Sequence, residues 1–253
     1  MNRLVILLAT PFFSLGPAAF AQEAQSLLQQ HLEARGGQER ILQVKTLRAK
    51  GTMYRFGLQY EAELLYRSPN QGHLRYWGQN EHFQGVPGAF EARMMVDGSE
   101  AGLTITPHGE PSRDGRLFPF VGYPLRGAVD FRGPLLDPNA AEHNWSLEGR
   151  EEIEGVPVWR LTLARAAGAG QEVWWLRVDT LDLIQRRFLF ERWGRQVWAT
   201  VSYADFVEVD GLRLPKTHLI DSVSSTVEWS FDVIDIDVPL GKVDFAVSLP
   251  ATP

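Results

Sequence analysis

Apolar and polar positions alternate with a period of two through Glu172–Tyr203. Val197, Ala199, Val201 and Tyr203 fall on one side, and Gln196, Thr200 and Ser202 on the other. Upstream, Ile184, Phe188 and Phe190 alternate with Gln185, Arg187 and Glu191. Successive side chains of a strand point to opposite faces, so the spacing predicts three consecutive antiparallel strands with one apolar and one wet face. Asp179–Asp182 and Trp193–Gly194 supply residue types that tolerate the backbone angles of a reversal.

The same reading extends over the chain. Ala24, Leu27, Leu28, His31 and Leu32 form a stripe that predicts a helix over 23–34, stopped by Gly36–Gly37. A shorter helical turn carries Ile41, Leu42 and Val44. From Thr46 the pattern is that of strands: 46–56, 58–67, 73–78, 90–96, 102–106, 145–152, 158–164, 206–209, 212–219 and 226–238, with those of 172–203 between. The expectation is a mainly β chain with a few helices. In 226–238 the apolar phase passes from Val227, Trp229 and Phe231 to Ile234, Ile236 and Val238 with no turn between, which predicts a bulge or bend. Residues 107–142 break the rhythm with six prolines, yet remain rich in Leu, Phe and Val. Such a segment reads as short helices and loops folded onto an apolar surface, either a lid or a packed crossover connection. Phe245 is expected to pack near the chain end.

The first 21 residues have a short positive start, an apolar run interrupted by Pro11 and Pro17, and Ala19-Phe20-Ala21 as a cleavage site. They predict a secretory signal peptide cut near Ala21, followed by a single domain over 22–253. The chain contains no cysteine. That excludes disulfides, thiolate metal sites, cysteine nucleophiles and a lipidated cysteine. A formal charge of −6 argues against nucleic acid or an anionic membrane as a standing partner.

The search for chemistry returns little. His31, His73, His82, His108, His143 and His218 show no metal-ligand spacing, and His31 belongs to the helix stripe. Asp235 and Asp237 share the wet side of the last strand, so with Asp232 they read as a solvated face and not as a calcium site. There is no nucleophile elbow, and Asp97-Gly98-Ser99 reads as a hairpin turn. Arg35-Gly36-Gly37 ends a helix instead of opening one on a phosphate. No catalytic residue, metal or cofactor is therefore expected. What stands out is the aromatic load, with all eight Trp in or beside predicted strands. A curved sheet with so many large groups either fills its interior or leaves an apolar pocket under a cover.

The order of motifs HLEARGG, VKTLRAKGTM, VDTLDLIQRR, VDGLRLPKTHLI and DFAVSLP behind a signal peptide resembles the LolA-like outer-membrane lipoprotein-sorting proteins. That resemblance implies an incomplete antiparallel β-barrel wrapped over an N-terminal helix and a central helical lid, with a cavity for acyl chains. It further implies a periplasmic, non-enzymatic carrier of lipoprotein acyl chains or another lipid. An inner-membrane releasing complex and an outer-membrane acceptor would be its partners. The carrier is expected to act as a monomer. The expected cavity wall is Tyr60, Leu64, Tyr66, Trp159, Leu161, Phe188, Phe190, Val201, Trp229 and Phe231, with Phe118, Phe120 and Phe131 as the lid. A non-catalytic envelope-stress sensor of the same fold and an exported hydrolase remain as alternatives.

Overall fold

The computed structural model of the chain describes residues 17–55, 57–69, 71–79, 89–97, 100–107, 113–116, 132, 134–136, 144–164, 171–192, 195–222, 225–241 and 245. Two helices, α1 (Pro17–Ala34) and α2 (Gln38–Gln43), precede β1 (Thr46–Arg55), β2 (Leu58–Arg67), β3 (Gln71–Gln79), β4 (Ala89–Asp97), β5 (Glu100–Pro107) and β6 (Arg113–Arg116). A 3-10 turn over Pro134–Leu136 follows. The second run is β7 (Asn144–Ile153), β8 (Val156–Ala164), β9 (Gln171–Arg177), β10 (Leu183–Arg192), β11 (Arg195–Val209), β12 (Leu212–Ser222) and β13 (Ser225–Ile236).

These thirteen strands form one antiparallel sheet, in the order β6-β5-β4-β3-β2-β1-β13-β12-β11-β10-β9-β8-β7. It is mainly β and does not close, consistent with an incomplete barrel. β1 and β13, far apart in sequence, are neighbours at its middle. Tight turns hold the hairpins together. Asp210 and Gly211 both have positive φ (49° and 75°), as do Glu154 and Gly155 (51° and 82°), the geometry that matches strand twist in a two-residue loop.

Several elements differ from expectation for local physical reasons. α1 already runs at Pro17, six residues before the expected start, because AAFAQ contains no helix breaker. The expected separate strand 206–209 is the end of a single fifteen-residue β11, which passes through Asp205 at φ 54°. Register skips Asp205, from Ala204 opposite Thr217 to Phe206 opposite Pro215, and the Asp205 carboxylate accepts a hydrogen bond from Thr217 Oγ1 at 2.7 Å. Within 107–142, the described portions are the short edge strand β6 and one 3-10 turn, with no α-helix among the described residues. RDGR has no apolar alternation to announce β6, which exists by backbone pairing with Gly102–Ile105.

The bulge expected in the last strand is present opposite Lys50 and Gly51. Lys50 pairs with Val233 but Gly51 pairs with Phe231, so Asp232 is the extra residue and Ile234 and Ile236 join the face of Trp229 and Phe231. Gly51 is required there, since a Cβ would lie 1.9 Å from Ser230 O and 2.7 Å from Phe231 Cα.

The helices are fastened to the inner face by defined contacts. Gly36 (φ 114°) ends α1, with Gly37 N donating to Leu32 O at 2.9 Å and Gly36 N to Glu33 O at 3.0 Å, the paired bonds of a Schellman cap. Arg213 N donates to Arg35 O at 3.1 Å, and Arg40 Nε to Asp210 O at 3.1 Å, so the α1–α2 junction sits on the β11–β12 turn. His31 Nδ1 donates to Leu181 O at 2.8 Å. Ala24, Leu27 and Leu28 pack with Leu147, Leu161, Trp174 and Leu176, whereas Leu32, Ile41 and Val44 pack on the wider cluster of β1–β5 and β10–β13. The outer face is covered locally too. Phe245 is buried, edge-on to His73 at 6.1 Å and beneath the Arg67 guanidinium at 4.3 Å.

Candidate functional site

The concave side of the sheet is built by the inward positions of twelve strands, β1–β5 and β7–β13. Tyr60, Leu64, Tyr66, Phe188, Val201, Trp229 and Phe231 belong to one buried cluster, and Leu161, with Trp159 packed on it, to the cluster under α1. Phe190 stands on β10 opposite Val197, but its side chain lies outside the described residues, as do Phe118, Phe120 and Phe131. Leu58, at the same parity as Tyr60, is 40% exposed at the strand start. Ile184 is not on the Phe188 face. The register shift between Leu183 and Gln185 turns it outward, to pack on Val158, Val173 and Trp175.

Registry fixes how the inner groups meet. Tyr203 lies opposite His218, His218 opposite Trp229, Trp229 opposite Met53, and Met53 opposite Tyr60, a row that crosses five strands. The His218 ring is edge-on to Tyr203 at 5.2 Å and to Phe231 at 5.6 Å, and tilted against Trp229 at 6.0 Å. Such aromatic pairs add about 0.5–1.5 kcal/mol each beyond the area they bury.

A second row carries charge at its ends. Arg186, Val201, Ile220, Val227 and Arg55 are aligned across β10, β11, β12, β13 and β1. Arg186 Nε donates to Glu172 Oε2 at 2.7 Å, and the Trp174 indole donates to the same oxygen at 3.2 Å. The guanidinium also faces the rings of Phe188 at 4.6 Å and Trp174 at 5.3 Å. Arg55 Nη1 donates to Tyr76 Oη at 3.2 Å. Burial pushes the Tyr76 phenol up, against the opposing charge of Arg55.

Two inward histidines are neutral at pH 7. His31 is pushed down to about 3, first by burial and then by Arg35, against the Leu181 carbonyl and Asp182. His218 is pushed down to about 4 by burial, against the Pro215 carbonyl. His218 Nδ1 and Trp229 Nε1 are buried without a hydrogen-bond partner. An unmet buried group of this kind costs about 1–3 kcal/mol.

The inward places of Arg186, Glu172 and His218 were not singled out from the sequence, although the alternation could have found them. Arg186 stands at the same parity as Phe188, Glu172 at that of Trp174, and His218 at that of Leu214 and Ile220. The aspartates of β13 are employed structurally: Asp235 pairs with Arg48 at 2.7 Å, and Asp237 accepts from the Lys45 and Thr46 amides. A separate groove of about 740 Å³ between the end of α1 and α2 is lined by polar groups including Gln29, Glu33, Glu39 and Arg40, and by none of the expected wall residues.

The central segment reaches this inner side. Leu136 packs on the wider cluster and Leu135 on both clusters, while Arg132 Nη2 donates to Leu42 O at 3.0 Å and to Ser68 Oγ at 2.6 Å.

No protein-family model and no curated protein matches the chain. Solved structures do. A DUF1329-family protein from Desulfovibrio piger matches with a TM-score of 0.56 at 12% identity, over 88% of this chain and 97% of its own. A putative outer membrane lipoprotein-sorting protein domain from Vibrio parahaemolyticus gives 0.53 at 13%, over 89% and 97%. A LolA superfamily protein from Nitrosomonas europaea gives 0.51 at 14%, over 85% and 94%. At these identities the likeness is one of architecture, and the chain has a LolA-like fold.

Proposed function

We propose that this protein is a periplasmic, non-catalytic carrier that holds the acyl chains of lipoproteins or other lipids against the concave side of its sheet. The inner face carries the reading: nine strands contribute to its larger apolar cluster, against only Leu32, Ile41 and Val44 from the helical region. A face so broad and so poor in helical cover suits an oily guest. An acyl chain leaving water gains roughly 0.8 kcal/mol per CH₂, so affinity needs few directional contacts. The segment bearing Leu135 and Leu136 rests on the same surface and competes with cargo for it, so loading and release are a shift between two packings. Export by the N-terminal leader, and exchange with a releasing complex and an acceptor at the two membranes, complete the reading.

The test is gentle purification from the periplasm followed by native mass spectrometry. Lipid that travels with the protein and is displaced by a fluorescent fatty acid supports the carrier. A bare protein indifferent to such probes overturns it.

A further inference from the structure

The inner face carries a polar spot whose chemistry narrows the guest. Trp229 and His218 lie opposite each other on adjacent strands, and Trp229 Nε1 and His218 Nδ1 are both buried without a hydrogen-bond partner. An indole N–H only donates, so what it lacks is an acceptor. The imidazole beside it is uncharged at neutral pH, held so by burial, and with its one N–H given to the Pro215 carbonyl it supplies neither a positive charge nor a second donor. Of the inward arginines of the neighbouring row, Arg186 is paired with Glu172 and Arg55 donates to the Tyr76 phenol. The ring neighbours of Trp229 and His218 are Tyr203 and Phe231, which carry no charge, so a carboxylate brought there would leave water without an adjoining counter-charge, which is unfavourable. A neutral acceptor set within an apolar body meets no such penalty.

We infer that the Trp229 indole, set beside a neutral His218, is a carbonyl-recognition site within the acyl-chain surface, taking the uncharged ester or amide carbonyl of an acylated amphiphile. The inference rests on the carrier reading and adds which atom of the guest is fixed. The carbonyl sets the depth of the chain in the half-barrel, because Met53, the next residue of the row beyond Trp229, is apolar.

The experiment compares two lipids that differ at one group. Purified protein is loaded with the fluorescent probe 1-N-phenylnaphthylamine, which is then displaced by 1-lauroylglycerol (an ester) or 1-O-dodecylglycerol (the ether of equal length). The ester is expected to displace at a concentration roughly three- to tenfold lower, the worth of one neutral hydrogen bond. Trp229→Phe keeps an aromatic ring and removes the donor. It is expected to bring the ester to within about twofold of the ether, whatever it does to the binding of both lipids in common. In the parent protein, the indole N–H resonance that this variant deletes is expected to shift with ester and not with ether. Equal displacement by the two lipids in the parent protein overturns the inference even if the variant fails to fold, and means that water serves these atoms. An ester preference that survives Trp229→Phe overturns it as well. In both cases the carrier reading stands, whereas failure of the probe and both lipids to bind removes that reading itself.

Discussion

Arg186 and Glu172 form an ion pair 2.7 Å long whose side chains are only 4% and 5% exposed, on the mainly apolar inner face of the sheet. The two charges come from adjacent strands, Arg186 opposite Trp174 and Glu172 opposite Phe188. Taking both from water costs several kcal/mol, offset only because the carboxylate also receives the Trp174 indole and the guanidinium lies over two rings.

Removal of one partner is expected to cost more than removal of both. Glu172→Ala or Arg186→Ala leaves an uncompensated buried charge and should lower unfolding free energy by about 3–5 kcal/mol. The double change to Glu172→Leu and Arg186→Met should recover most of that loss. Urea unfolding of the set checks this, and single variants within about 0.5 kcal/mol of the parent would refute the burial argument.

At the centre of the sheet, Gly51→Ala is expected to destabilise by about 3 kcal/mol or more, since the new methyl meets backbone atoms that cannot swing aside. Thr52→Ala, one residue further along β1 and only part-buried, should stay within about 1 kcal/mol. Thermal unfolding of the two variants separates a bulge-specific effect from a general weakness of β1.

Acid should weaken the fold through its histidines. His31 and His218 have folded pKa values of about 3 and about 4, below the ordinary 6.5 that they regain on unfolding. The unfolded chain then binds protons that the folded chain does not, so stability is full above pH 6.5 and is lost as pH falls toward the folded values. Between pH 6.5 and 4.5 the two together should remove about 4 kcal/mol. Asp237, held below the usual carboxylate range by the Lys45 and Thr46 amides, adds loss in the same direction at lower pH. Unfolding free energy measured against pH should fall with a gentler slope in His31→Gln and His218→Gln. Parallel curves would show that neither ring titrates in this way.

Phe245 closes the outer face over His73, and Phe245→Ala should cost about 3 kcal/mol. Hydrogen exchange should then quicken most on β2 and β3, where His73 and Arg67 lose their cover. Unchanged exchange there would mean that the contact contributes little.

The strands were legible because one face of nearly every one is apolar and the other wet, so a period of two survives in the letters. The bulge of β13 was legible for the same reason: a phase change from Phe231 to Ile234 has no other cheap geometry. Ile184 misled because its own bulge is set by pairing with β9, a long-range fact that its neighbours in sequence do not encode. β6 was invisible because an edge strand of RDGR is held by backbone alone. The large inner residues followed from alternation, but the polar members did not stand out: a reading tuned to Trp and Phe passes over an Arg or His at the same parity. Their roles depend on which strands become neighbours.

β6 and β7 follow one another along the chain yet lie at opposite edges of the sheet, so the residues between them tie one rim of the half-barrel to the other. Where that tie is described, at Arg132 and at Leu135–Leu136, it runs along the inner side. A flap anchored at one end could swing clear, but a strap anchored at both rims cannot. Leu135 and Leu136 therefore lie on the inner face as part of a connection joined covalently to both edge strands, and not as the tip of a free end.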